Sequence, residues 1–425
     1  MSNSLPLFEL ALGFVVMAIS QKFHDEASFG RTLILFALCS VSIIYGYFKD
    51  PYAPLYCYAF TSPITNAFGI SFAFILGGMA LVFLKKSECQ WRWNFSLPGL
   101  AFCVWSLLSL AWAEEVSTGL DSYISQALAP MVLAFLIAGL RDTMFRRKVM
   151  LMVTFACVIG SLASLKNWHN GVGEMGSGGR FYSLIRPDTF SAWELFGIFG
   201  LAAWVSSAET ARWLRVVMIM ILPLLVVGLG LCGFRAAILA AGVGLVMLAV
   251  SLNQIWRALG VLLGVAIPAV ALTVLVPSLF KTVLGRFGTI AADRGSDRLD
   301  IWGDAIKLFW EHPFIGYGTD NFKVIIGRLY GEDMMPHSVY IGTLVELGVI
   351  GLILMLIWFA VLLTKAWNAP DRIWVFPLIA AFMFQAAFLH EFYMSCFWLA
   401  IGLVEGSRAP VAQKAGSPTL SMQKF

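Results

Sequence analysis

Residues 216–250 read VVMIMILPLLVVGLGLCGFRAAILAAGVGLVMLAV. One charged side chain, Arg235, interrupts the stretch, and it falls between two apolar runs, Leu214–Leu231 and Ala236–Leu252. A helix needs about 20 apolar residues to cross the hydrocarbon core of a bilayer. The runs therefore read as two membrane-spanning helices joined by the turn Cys232–Arg235. Gly233 can end the first helix in a left-handed conformation, which makes Arg235 the start of the second.

The pattern extends over the whole chain. Of its 425 residues 59% are hydrophobic and 13% charged, against roughly half and a quarter in soluble domains. Such a sequence cannot be buried in one soluble core. Further runs of spanning length are Leu5–Gln21, Thr32–Phe48, Ala67–Leu84, Leu97–Ala113, Leu120–Leu140, Val149–Trp168, Thr189–Ser207, Leu259–Leu279 and Ser338–Thr364. Ile373–Val404 is too long for one span and divides into two short ones at His390-Glu391; Ala53–Thr61 reads as a half-span. The expected fold is all-α, a polytopic transmembrane helical bundle of about 12–14 spans. The N-terminus has no basic segment before its first apolar run and reads as a retained helix. Residues 406–425 read as a disordered cytoplasmic tail.

Basic residues recur on alternate connections: Lys85-Lys86, Arg141 with Arg146-Arg147-Lys148, Arg212 with Arg215, Arg257, and Lys365 with Arg372. The positive-inside rule puts these in the cytoplasm. The net charge of +4 is small for the size, which argues against a nucleic-acid partner. The seven cysteines show no CxxC or Cys/His spacing, so neither zinc nor a disulfide framework is expected.

The opposite connections are then external: Glu114–Ser117, His169–Asp188, Cys232–Arg235, Lys281–His337 and the His390-Glu391 break. Lys281–His337 is the one long hydrophilic stretch, with seven Lys/Arg and eight Asp/Glu. Ser296-Asp297 offers a helix cap, and Ile301, Trp302, Ala305, Leu308 and Phe309 give an apolar face at helical spacing. That helix is expected to end at His312-Pro313 and to lie along the membrane interface. After Gly316-Tyr317-Gly318, an Asp or Thr cap introduces a second short helix from Asn321 to about Leu329.

Ionisable residues in or beside a membrane bundle are costly and so are candidates for function. Arg235 lies on the side that the other basic clusters avoid, at a helix N-terminus able to hold an anion; its bland alternative is a snorkelling anchor. Arg298, by spacing alone, reads as an ion pair with Asp293, Asp297 or Asp300. His337 follows a proline at a span's external rim and can take a proton near neutral pH; it can equally be an ordinary interfacial histidine. Glu346 lies two turns deeper, as a base, a charge partner or a protonated structural acid. Gly342, Gly348 and Gly351 suit close helix packing. Arg180 and Arg186, in a Gly-rich external loop, can steer an anionic headgroup or simply be solvated.

The order of these features resembles the O-antigen ligase and O-antigen polymerase superfamily. Three segments carry the resemblance: Gly-Phe-Arg-Ala-Ala-Ile-Leu-Ala (233–240), SDRLDIWGDAIKLFWEHPFIGYGTDNF (296–322) and PHSVYIGTLVELGVIG (336–351). Phe234 and Ser338 stand where the family more often has Ser and Asn. The resemblance divides the chain into N-terminal helices 1–188, a ligase-like region 189–405 with periplasmic loop 281–337, and the tail. It implies a glycosyltransferase of the bacterial inner membrane with its active site facing the periplasm. The glycan would pass from undecaprenyl pyrophosphate to an acceptor hydroxyl, on lipid A–core in a ligase or on a growing glycan in a polymerase, with no metal or cofactor. The resemblance maps catalytic roles onto Arg235, Arg298 and His337; Arg180, Arg186, Tyr340 and Glu346 are the candidate substrate contacts. A rival reading is a transporter or flippase of lipid-linked glycans, with Glu346 as a coupling site.

Overall fold

The computed structural model describes residues 7–22, 29–65, 68–140, 142–173, 180–207, 210–252, 276–278, 281, 285, 298–331, 335–390, 392 and 394–407. Most of the expected span Leu259–Leu279, the Ser296-Asp297 cap, Glu391 and the tail lie outside the described residues. The helices are α1 Leu7–Lys22, α2 Phe29–Phe48, α3 Ala53–Thr61, α4 Phe68–Leu84, α5 Lys86–Cys89, α6 Leu97–Leu108, α7 Val116–Ser122, α8 Leu128–Ala138, α9 Thr143–His169, α10 Pro187–Val205, α11 Arg212–Cys232 and α12 Arg235–Leu252. They continue with α13 Arg298–Glu311, α14 Phe322–Tyr330, α15 Val339–Trp367, α16 Arg372–Gln385 and α17 Ser395–Glu405. Among the described residues the only extended pairing is one isolated bridge, Gly173 to Phe181. The fold is an all-α membrane bundle.

Among the described residues, α9, α11, α12 and α15 are long and apolar enough to cross a membrane, and shorter apolar helices surround them. Two expected spans are pieced together. α6 runs into a 3-10 turn, Ser109–Trp112, and α7 passes through a π-helical turn, Tyr123–Ala127, into α8. α10 is the axis of the bundle and packs on α9, α11, α12 and α16. On the outside, α2 shows Ile34, Phe36, Val41 and Ile44, α11 shows Val216, Ile219 and Met220, and α15 shows Ile353, Leu356 and Ile357. So much exposed apolar surface needs lipid to cover it.

The basic clusters converge on one end. Arg146 of α9 makes a buried ion pair with Asp371 at 2.7 Å and donates to the Gly406 carbonyl at 3.2 Å. Arg147 donates to Ser207 Oγ at 2.9 Å, and Arg215 to the Ser207 carbonyl at 2.8 Å. Lys365 pairs with the buried Glu405. These bonds tie together the ends of α9, α10, α11, α15, α16 and α17, and each buried charge there has a partner that offsets its desolvation.

At the opposite end the expected continuous span Ser338–Thr364 is broken. Gly348 has φ 67° and ψ −173° inside α15. The backbone freed by the break is met by the segment Pro313–Gly318. Val349 N–H donates to Pro313 O at 2.9 Å, Tyr317 N–H to Val345 O at 3.1 Å and Gly318 N–H to Glu346 O at 2.8 Å. The Glu346 side chain is buried under this segment. A Cβ on Gly348 would lie 2.2 Å from Phe314 O, so Gly348 serves this docking and not helix-to-helix packing.

α13 and α14 form as the sequence spacing implies, with Asn321 as the N-cap of α14 in place of the expected Asp or Thr. The α13 face bearing Ile301, Ala305, Leu308 and Phe309 packs on Tyr317, Phe322, Ile325 and Val345. The apolar stripe that α13 leaves exposed is a different one, Leu299, Ile306 and Trp310.

Gly348→Ala is expected to cost about 2–3 kcal/mol, read as a lowered thermal unfolding midpoint in detergent. Gly242→Ala in α12, where nothing lies within 4 Å of an added Cβ, is expected to be neutral or slightly stabilising.

Candidate active site

A cavity of about 470 Å³ opens at the end of the bundle away from the basic clusters. Its lining includes Arg186, Asp188, His337 and His390, and also Ser62, Thr65, Ser71 and Gln126. Pro187 opens α10, and its fixed φ suits a first helical position; this sets the amide end of α10 at the cavity, between Arg186 and Thr189.

His337 is held by its neighbours on both sides. Trp302 Nε1 donates to Pro336 O at 2.9 Å, and Val339 N–H donates to Ala386 O at 2.8 Å. Ser338 caps α15, its Oγ accepting from Ile341 N–H at 3.3 Å. Between these anchors His337 takes φ 47°, the left-handed region. Histidine occupies that region more readily than most residues, at a cost of about 1–2 kcal/mol. Burial, and then the Arg298 guanidinium, lower its pKa from the ordinary 6.5, with Arg180 adding to the effect and Asp188 opposing it. The imidazole is therefore neutral at pH 7 and able to accept a proton.

The same electrostatics show which candidates come together. Arg298 and Arg180 are close enough to act on His337. Arg298 also lies over the ring of Phe234, 5.8 Å from its centroid, which puts it beside the start of α12 at Arg235. Phe181 is held there too, its N–H donating to Leu231 O at 3.0 Å. Arg186 is exposed on the cavity and pairs with Asp188 at 3.4 Å. Glu346 and Tyr340 stand apart from this group. Glu346 lines a smaller cavity of about 40 Å³ with Thr319, Thr343 and His390, and the Tyr340 hydroxyl donates to Met383 O at 2.9 Å.

Sequence reasoning gave His390 no more than a place in a turn, and it passed over Asp188. His390 lines both cavities. Burial pushes its pKa down to about 4, with Asp320 opposing and His337 and Lys323 reinforcing the shift. Its signal in the sequence was a polar pair splitting an apolar run. Asp188 had the Pro187 helix start beside it.

The all-α membrane bundle thus brings Arg186, Asp188 and His337 to one cavity, with Arg298 and Arg180 acting on His337. Residues 219–356 match the family described as O-Antigen ligase. That window holds Arg235, Arg298, His337, Tyr340 and Glu346, and leaves out Arg180, Arg186 and His390. The chain is also 26% identical over 279 residues to an O-antigen ligase of Pseudomonas aeruginosa, covering 63% of this chain and 64% of that protein's length. Both matches are likenesses to O-antigen ligases, and each covers only part of this chain.

His337→Asn is expected to leave the thermal midpoint unchanged, because Asn adopts the left-handed conformation readily. His337→Val, β-branched at φ 47°, is expected to lower stability by about 1–2 kcal/mol, measurable in the same melt.

Proposed function

We propose that this protein transfers a glycan from undecaprenyl pyrophosphate to an acceptor hydroxyl on the periplasmic face of the bacterial inner membrane, as an O-antigen ligase whose acceptor is lipid A–core. The observation that carries this reading is the gathering of Arg298, Arg180 and a neutral His337 at the end of the bundle opposite the paired basic clusters. Positive charge is depleted on that side of membrane proteins unless something anionic is held there. The ligase reading, in preference to polymerase, draws on the name of the Pseudomonas relative.

The chemistry follows from the groups present. The acceptor oxygen attacks the anomeric carbon while the bond from that carbon to the pyrophosphate oxygen breaks. His337 takes the acceptor proton, and the electron pair leaves on the pyrophosphate. Arg298 and Arg235 hold the charge that grows there, in surroundings of low dielectric where a fixed guanidinium is worth far more than in water. Arg180 and Arg186 steer the headgroup towards the site. A single in-line attack inverts the anomeric configuration. Two guanidinium groups meet the pyrophosphate charge, so the reaction needs no metal.

The test supplies purified protein in lipid with undecaprenyl-pyrophosphate glycan and either lipid A–core or a glycan acceptor. The expected product is glycosylated lipid A–core, undiminished by a chelator. Arg298→Ala is expected to lower kcat about 10²–10³-fold, and His337→Asn about 10²–10⁴-fold. Product on the glycan acceptor alone would identify a polymerase. Movement of lipid between leaflets with no product would overturn the transferase reading.

The pH dependence has a definite sign. The neutral imidazole is the active form, so activity falls as pH drops through the lowered His337 pKa. The acid limb of the rate profile is therefore expected below the ordinary 6.5. Arg298→Gln, which removes the neighbouring charge, is expected to move that limb towards higher pH in whatever activity remains.

A further inference from the structure

Part of the lining of the cavity that holds Arg186 and His337 comes from the N-terminal third of the chain. It is chemically unlike the rest. Ser62 and Thr65 lie in the turn after α3, Ser71 lies in the first turn of α4, and Gln126 lies in the π-helical turn. None of the four carries a charge. All nine residues of α3 are buried, yet at about 14 Å it is too short to cross the membrane. Non-helical backbone at that depth is tolerated only where it is buried in protein or lines a water-filled cavity, and the turn after α3 lines this cavity.

The two parts of the lining differ in character. Beside Arg186 and His337 lies the amide end of α10, which suits phosphate oxygens. The residues from α3, α4 and the π-helical turn carry no net charge. Thr61 O at the end of α3 is taken by the N–H groups of Ile64 and Thr65 and by Thr65 Oγ1. The groups offered to a ligand are therefore the Ser62 and Ser71 hydroxyls and the Gln126 amide, which both donate and accept, and the acceptor lone pairs of Thr65 Oγ1. A pyrophosphate, which only accepts, gains little from such a wall. A neutral sugar ring, whose hydroxyls do both, matches it. Phe72 and Trp193 line the same cavity and offer apolar faces to the ring's C–H groups. The π-helical turn supports the assignment independently, since π turns are uncommon and recur at functional sites. This one carries Gln126, whose side chain is exposed on the cavity.

We propose that Ser62, Thr65, Ser71 and Gln126 form a sugar subsite that binds the hydroxyls of an uncharged pyranose next to the reacting bond. The proposal rests on the glycan-transfer reading and adds where the sugar is recognised. The sugar is either the first residue of the lipid-linked glycan or the residue of the acceptor that presents the attacking hydroxyl.

The test measures equilibrium binding to the full-length protein in lipid nanodiscs. The ligands are undecaprenyl pyrophosphate without sugar, undecaprenyl-pyrophosphate glycan, and lipid A–core. Wild type is compared with Gln126→Ala and Ser71→Ala, two positions at the surface of the cavity. Each variant is expected to weaken binding of one sugar-bearing ligand about tenfold, the value of a lost hydrogen bond, and to bind sugar-free carrier like wild type. Weakened glycan carrier assigns the donor sugar, and weakened lipid A–core assigns the acceptor sugar. Unchanged binding of both sugar-bearing ligands overturns the subsite and leaves the transfer reading standing. Equal weakening of the sugar-free carrier also overturns it, because the wall would then hold the headgroup. If wild type binds none of the three, the transfer reading fails and the subsite with it.

Discussion

Glu346 sits where α15 unwinds; its backbone carbonyl accepts from Gly318 N–H at 2.8 Å, and Val345 O accepts from Tyr317 N–H at 3.1 Å. One turn of the loop is thereby fixed to the bundle from within. Backbone groups freed inside a membrane bundle are costly unless their hydrogen bonds are made, so these contacts hold the loop in one register. Gly348 opens the backbone beside it, and the Pro313–Gly318 segment fills the opening. The core under α13 and α14 forms on this foundation. Trp302 of α13 then bonds to Pro336 O and fixes the backbone that presents His337. Glu346 acts through this chain of contacts and lies apart from the reacting group.

The cavity is built from both halves of the chain. The region matching the ligase family brings His337 to it, with Arg298 acting on that imidazole. Residues outside that match bring Arg186, His390 and the hydroxyl-bearing residues. This division suits a reaction that holds one constant group and one variable group. A pyrophosphate is the same in every lipid-linked glycan, whereas the sugars differ.

Features that depend on local punctuation were legible in the sequence. Gly233 does end α11 in the left-handed conformation, and α12 starts at Arg235. The half-span at Ala53–Thr61, the helix stopping before His312-Pro313, and the division of Ile373–Val404 also appear in the structure. Glycine, proline and helical spacing suffice for each of these. The break at Gly348 was not legible. Glu-Leu-Gly-Val-Ile-Gly inside an apolar run reads as a packed helix, and only the distant Pro313–Gly318 segment makes unwinding favourable. The apolar face of α13 was legible from its spacing, but its partner was not: Tyr317, Phe322, Ile325 and Val345, which cover it, lie elsewhere in the chain. The second wall of the cavity escaped notice because serine, threonine and glutamine are unremarked within spans until three separate segments are brought together.

The most direct test of the whole account is a cryo-electron microscopy structure of the protein in nanodiscs loaded with undecaprenyl pyrophosphate. The account expects the pyrophosphate between Arg298 and Arg235, its oxygens about 2.7–2.9 Å from guanidinium nitrogens, with His337 beside it. A headgroup bound at the Arg146–Arg215 end of the bundle, or in the external cavity out of reach of both arginines, would contradict it.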